Sequence, residues 1–290
     1  MLKVAVFNGT EETLRDKILG RPFSFNLEKI TYTEDYDEAN WILGNLDYIN
    51  CNNDYAKICQ SNVFRKMPNK FVFWSMHDSP NFAYAEPYSK KFLSQPLMIG
   101  KDNRLSNVHA TPLQMRHYEL DLISDLDFIE ECRNAKKVYD FVYVGQIGYA
   151  SRQWLADIQL DKYDLDITSP IWGVKDTITR VNMLKDFCLR MAKSKYAFAP
   201  RGIGTSSFRL YQAMMVGTVP IVSGMTEYPF SNNVEWKDFC IINDKQTDLD
   251  FNSLTINTEY ENMRQRGIQF WEDYVRIENC DKKLFESYLL

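Results

Sequence analysis

The sequence predicts an α/β protein built as two halves in series, and three observations carry that expectation. A short apolar run at residues 2–7 (LKVAVF) passes through Asn8, Gly9 and Thr10 into a charged, helix-like segment that stops at Gly20, which is how an α/β unit begins. The same order restarts at 140–145 (DFVYVG), with a turn bounded by Gly145 and Gly148 and a helix from Ser151 that carries Arg152 in its first turn. At 290 residues the chain is long for one core and comfortable for two.

Taken in order, residues 38–44 (EANWILG) read as a buried strand and 54–65 as a helix ended by Pro68. Residues 70–76 (KFVFWSM) form an emphatic strand that delivers His77 and Asp78 at its carboxyl end, before Ser79 and Pro80 break the chain. Residues 96–100 are a further candidate strand and 124–134 an acidic helix. The domain boundary is expected between Glu131 and Tyr139, giving a first domain of 1–135 and a second of 136–258. Within the second, 163–168 is a candidate strand, and a helix over 177–193 places Ile178, Val181, Leu184, Cys188 and Met191 along one face, the spacing of a helix packed on a sheet. Residues 239–242 form the last strand, and 259–290 an amphipathic helical segment expected to fold back over the first domain.

The stretch 193–224 organises the second half: a strand at 196–199, a glycine-rich turn at 200–207, a helix at 208–216 and a strand at 219–222. A turn that follows an apolar strand and opens a helix converges unpaired backbone N–H groups and the positive end of the helix dipole on one spot. Arg201 and Arg209 flank that spot, Gly202 and Gly204 permit its tight geometry, and Thr205, Ser206 and Ser207 supply hydroxyls, so these residues are expected to bind phosphate. The loop at Asn8 and Gly9 leaves the carboxyl end of the first strand, where open parallel sheets take ligands.

Charge supports a small anionic ligand. The chain carries a net charge of −5, which disfavours a general nucleic-acid surface, yet residues 177–217 hold seven basic side chains against one acid, Asp186. The six cysteines show neither CxxC nor zinc spacing and read as buried, reduced thiols. Met1 leads straight into the first strand with no basic or long apolar leader, so no signal peptide or membrane anchor is expected and a cytoplasmic location is.

The sharply defined nucleotide motifs, GxxxxGK[ST] and GxGxxG, do not occur, which removes the best support for ATPase or dinucleotide-oxidoreductase readings. No GxSxG elbow favours a hydrolase. Asp-x-Asp occurs at Asp125/Asp127, Asp164/Asp166 and Asp248/Asp250, and such a pair can hold a divalent metal. Repeated copies in an Asp-rich chain argue for chance, with Asp164/Asp166 the best placed, and no metal site is expected. His77 and Asp78 are the acid–base candidates because a strand end aims them outward; the plainer reading is that Asp78 caps the next segment.

Residues 193–244 resemble the exostosin-like glycosyltransferases. The similarity rests on Pro200-Arg201-Gly202, Ser207-Phe208-Arg209, Gln212-Ala213, the run GTVPIV at 217–222, Pro229-Phe230, Glu235-Trp236 and the strand at 239–242, all in the family's order. The resemblance implies a GT-B architecture, two Rossmann-like domains facing across a cleft, with the second holding a UDP-sugar as co-substrate and no tightly bound cofactor. It also implies transfer to a hydroxyl of a glycan acceptor, inverting and without a required metal. Arg152, Arg201, Arg209 and the amides from Gly202 to Ser206 would stabilise the leaving diphosphate, and Asp78, or His77, would act as base. Glu227 and Glu235 are reserve sugar-binding candidates, and xylose is the first donor sugar to test. This chain departs from the family at Gln212, where the family has an acid that contacts the ribose in similar folds; an amide accepts a hydrogen bond less strongly than a carboxylate. A GDP-fucose enzyme and a non-catalytic carbohydrate- or nucleotide-binding module remain the alternatives.

Overall fold

A computed structural model describes residues 2–7, 30–46, 51–75, 91–94, 108–110, 125–168, 174–202, 207–225, 228–243, 249–276, 279–280, 283 and 286–287. The chain divides into two compact units, one of residues 1–111, 226–230 and 284–290 and the other of 112–225 and 231–283. Each contains a wholly parallel sheet, so the expected α/β class with two halves holds.

The first unit carries strands β1 (Leu2–Phe7), β2 (Ile30–Tyr32), β3 (Trp41–Leu46), β4 (Phe71–Ser75), β5 (Lys91–Ser94) and β6 (Val108–Ala110), in the order β2-β1-β3-β4-β5-β6. Near-continuous apolar runs in β1, β3 and β4 suit strands covered on both faces. Helices α1 (Cys51–Gln60) and α2 (Asn62–Lys66) follow β3, and the Ser61 hydroxyl ends the break between them by accepting from Phe64 N at 3.1 Å. The core is aromatic: Phe64 meets Phe71 edge-on at 5.0 Å and Phe7 meets Phe71 at 5.8 Å. Gly44 lies beside the Phe73 ring, where an added Cβ would come within 3.0 Å of Cδ1.

The second unit carries α3 (Leu126–Asn134), β7 (Tyr139–Gly145), α4 (Ala150–Gln153), β8 (Tyr163–Ile167), α5 (Thr177–Ala192), β9 (Ser194–Pro200), α6 (Phe208–Met215), β10 (Val219–Ser223), β11 (Ile241–Ile242), α7 (Phe251–Thr255) and α8 (Tyr260–Phe270). Its strands run in the order β11-β10-β9-β7-β8. Asp125, Asp176 and Asp250 cap α3, α5 and α7, accepting from Phe128 N at 3.0 Å, Thr179 N at 2.7 Å and Ser253 N at 3.1 Å. Phe141 stacks between Tyr196 and Phe198 at 5.6 and 5.9 Å, with Phe251 edge-on at 5.3 Å. Cys132, Cys188, Cys240 and Cys280 are buried.

Three expectations differ from this arrangement. Helix α3 was assigned to the first domain, but Lys185 bonds Asp125 at 2.8 Å and Arg133 Nε donates to Met215 O at 2.9 Å, which ties it to the second unit. Of the segment 259–290, expected on the first domain, residues 284–290 do group with the first unit, whereas helix α8 lies against α6 and β10: Gly267 sits 3.7 Å from Met214 measured from an added Cβ, and Phe270 stacks on Phe239 at 4.7 Å. Ile178 is 73% exposed, because α5 buries only its carboxyl-terminal part, through Leu184, Cys188, Met191 and Ala192.

The carboxyl end of α6 closes on Gly217, whose φ of 70° is one that a side chain would resist. Gly217 O accepts from Lys137 Nζ at 2.7 Å and from Arg264 Nε at 3.1 Å. Lys137 Nζ also donates to Ala192 O at 2.7 Å, the last residue of α5.

Candidate functional site

Both sheets place their first strand between the second and the third, β2-β1-β3 in one unit and β8-β7-β9 in the other. In such sheets the connections leave in opposite directions from the two central strands, and ligands bind in the crevice this opens at their carboxyl ends. In the second unit those ends are Gly145 on β7 and Pro200 on β9, followed by Arg201 and Gly202. Two arginines converge there.

Arg209, in the first turn of α6, donates from Nε to Val144 O at 2.8 Å and lays its guanidinium over the Tyr143 ring at 4.9 Å. Gly145 makes room for it: φ is 142°, and an added Cβ would stand 1.8 Å from Arg209 Nη2. Arg152, 8% exposed on α4, donates from Nε to Arg201 O at 3.0 Å and packs over Tyr149 at 5.2 Å. Gly202 clears its path, since a Cβ there would lie 2.8 Å from Arg152 Nη2, and Ser151 Oγ donates to the same Arg201 carbonyl at 3.2 Å. Arg201 itself is held through its backbone N to Ser223 O at 3.2 Å, while its side-chain stem runs past Gly224. The backbone after β9 thus serves as an anchor for Arg152.

The electrostatics are unbalanced. The guanidinium of Arg209 is desolvated although the side chain as a whole is half-buried, and this burial, with a smaller push from Arg152, brings it down to about 10 against the opposing influence of Tyr143. It stays protonated at neutral pH. Among the described residues no carboxylate pairs with Arg152 or Arg209. Helix α6 has no acid in its first turn, and its N-cap, Ser207, makes no side-chain cap bond. A cation at the positive end of a helix is unfavourable, and an anion seated between the two guanidiniums would reverse that.

Ser207, the N-cap of α6, and Gln212 within it are 6% and 4% exposed, so the Gln212 amide is enclosed. Gly204, Thr205, Ser206, Asn8, Gly9, His77, Asp78 and Glu227 lie outside the described residues. Glu235 caps a short 3-10 turn, accepting from Lys237 N at 3.4 Å.

The Asp-x-Asp pairs have structural occupations. Arg190 on α5 grips both Asp164 and Asp166, with Nε 2.9 Å from Asp164 Oδ2. Asp125 caps α3 and pairs with Lys185, and Asp250 caps α7 while Asp248 is outside the described residues. Sequence reasoning marked Gly145 only as the start of a turn and gave Tyr143 and Tyr149 no role.

No protein-family model and no curated protein matches this chain. Among solved structures, Anabaena HepE in complex with UDP is similar with a TM-score of 0.49 at 10% identity, over 99% of this chain and 99% of that one. The UDP-glucose complex of Anabaena HepE gives 0.46 at 11% identity, over 86% and 78% of the two chains. The pneumococcal O-GlcNAc transferase GtfA in complex with UDP and GlcNAc gives 0.40 at 10% identity, over 86% of this chain and 57% of that one.

Proposed function

We propose that this chain is a GT-B glycosyltransferase that moves a sugar from a UDP-sugar to a hydroxyl of a glycan acceptor. The observation that supports it most is the pair formed by Arg152 and Arg209 at the carboxyl edge of β7 and β9, two guanidiniums without a carboxylate partner among the described residues. A nucleoside diphosphate is the compact anion that such a pair fits, because each guanidinium has N–H groups to offer a phosphate. The exostosin-like motif order at 193–244 agrees with this reading.

In the proposed reaction the acceptor oxygen bonds to the anomeric carbon as the bond from that carbon to the β-phosphate oxygen breaks. The electron pair leaves with UDP, and Asp78, or His77, takes the hydroxyl proton, inverting the linkage. Preorganised positive charge at Arg152 and Arg209 stabilises the diphosphate as it leaves.

The test is calorimetric titration of UDP and GDP, followed by a UDP-sugar screen, UDP-xylose first, read by product mass. UDP is expected to bind in preference to GDP. Losing Arg209 as Arg209→Ala is expected to weaken UDP about 10- to 100-fold, the size of a charge-assisted hydrogen bond. Failure of every nucleoside diphosphate to bind the wild-type protein would overturn the proposal.

A further inference from the structure

Arg209 is fixed by little. Its Nε bond to Val144 O is the only hydrogen bond that the described residues give it, and none of them hydrogen-bonds its Nη groups. What sets the plane of the guanidinium is the Tyr143 ring beneath it, at 4.9 Å. That ring is itself enclosed and anchored: Tyr143 is 1% exposed in β7, and its hydroxyl donates to Gln146 O at 2.5 Å. One side chain therefore touches both the arginine and the turn that leaves β7 through Gly145.

A long arginine held by one hydrogen bond samples several rotamers, and each lost orientation weakens a two-point contact with an anion. An aromatic face removes that freedom without consuming an N–H, because its attraction acts on the guanidinium plane rather than on its edge. A carboxylate in the same place would hold Arg209 more tightly but would cancel the charge meant for the ligand. We propose that Tyr143 is a positioning residue that holds the Arg209 guanidinium edge-out for a diphosphate; this rests on the phosphate-site reading above.

The experiment replaces position 143, in the full chain, by phenylalanine and then by its mono-, di- and trifluorinated analogues, which drain the ring's quadrupole at nearly constant shape. Affinities for UDP and for inorganic pyrophosphate are measured by calorimetry. Tyr143→Phe is expected to bind both within about threefold of wild type, and the trifluorinated ring about tenfold more weakly, the scale of one desolvated cation–π contact. In an Arg209→Ala background the trend should vanish, which a purely structural role would not produce. Affinities that do not change with fluorination, or a trend that persists without Arg209, overturn the inference. If the wild-type protein binds neither UDP nor pyrophosphate, it is the phosphate-site reading that fails.

Discussion

Arg209 occupies the space that a side chain on Gly145 would need: an added Cβ would stand 1.8 Å from its Nη2. Gly145→Ala must therefore expel the guanidinium, and it also forces a side chain onto a φ of 142°. The variant is expected to lose more than about tenfold in UDP affinity, since a charge-assisted contact of ~1.5–3 kcal/mol goes with the arginine. Calorimetry checks it, and unchanged UDP binding would remove Arg209 from the site.

Arg152 differs from Arg209 in using its Nε on the Arg201 carbonyl. A lysine keeps the charge, but its N–H groups share one nitrogen and cannot reproduce the planar fork that holds that carbonyl while facing a phosphate. Arg152→Lys is expected to rescue UDP binding no better than Arg152→Ala, to within about threefold; full rescue would mean that charge alone matters.

Arg190 answers two carboxylates at once, with Asp164 the more enclosed of them. Arg190→Leu leaves both facing each other. The expected loss in urea unfolding lies between the ~1 kcal/mol of exposed pairs and the ~3–5 kcal/mol of buried ones, with UDP affinity retained. A variant as stable as wild type would contradict this.

Lys137 sits among the carbonyls of Ala192 and Gly217, and burial, followed by the charge of Arg264, holds it down to about 7 from 10.5, against Glu261 and Cys132. The unfolded chain then binds more protons than the folded one between about pH 7 and 10.5, so this group makes stability rise with pH through that window. Burial pushes the Cys132 thiol up to about 12 from 9.0, which acts the other way above pH 9. Urea unfolding at pH 7, 8 and 9 should show a rising contribution in wild type that Lys137→Met lacks. Parallel pH profiles would show that Lys137 keeps its charge in the folded protein across this window.

The strands that could be read directly were those whose apolar character is continuous, such as FVFWS in β4 and VPIVS in β10. β2, β5 and β6 are three or four residues long and mixed in polarity, so they exist by virtue of their neighbours' edges rather than their own pattern. The periodicity of α8 announced a helix with an apolar face, but nothing in periodicity says which surface that face meets. The site divides similarly. Arg201, Gly202 and Arg209 were visible because a glycine turn after a strand is local information. Arg152 acts through a carbonyl 49 positions away, and Arg190 reaches Asp164 across 26, so neither role could be read from spacing. Tyr143 in a strand looked like core, and it is core as well as a platform.

The two ends of α6 are treated differently. At its carboxyl end Met215 O accepts from Arg133, and just beyond it Gly217 O accepts from Lys137 and Arg264, while in its opening turn, about 12 Å away, the described residues place Arg209 and no acid. The peptide dipoles of this helix are therefore grounded at one terminal and left live at the other. In a chain whose total charge is −5, the field of this short helix makes that spot on the sheet edge an electrode that favours an incoming anion.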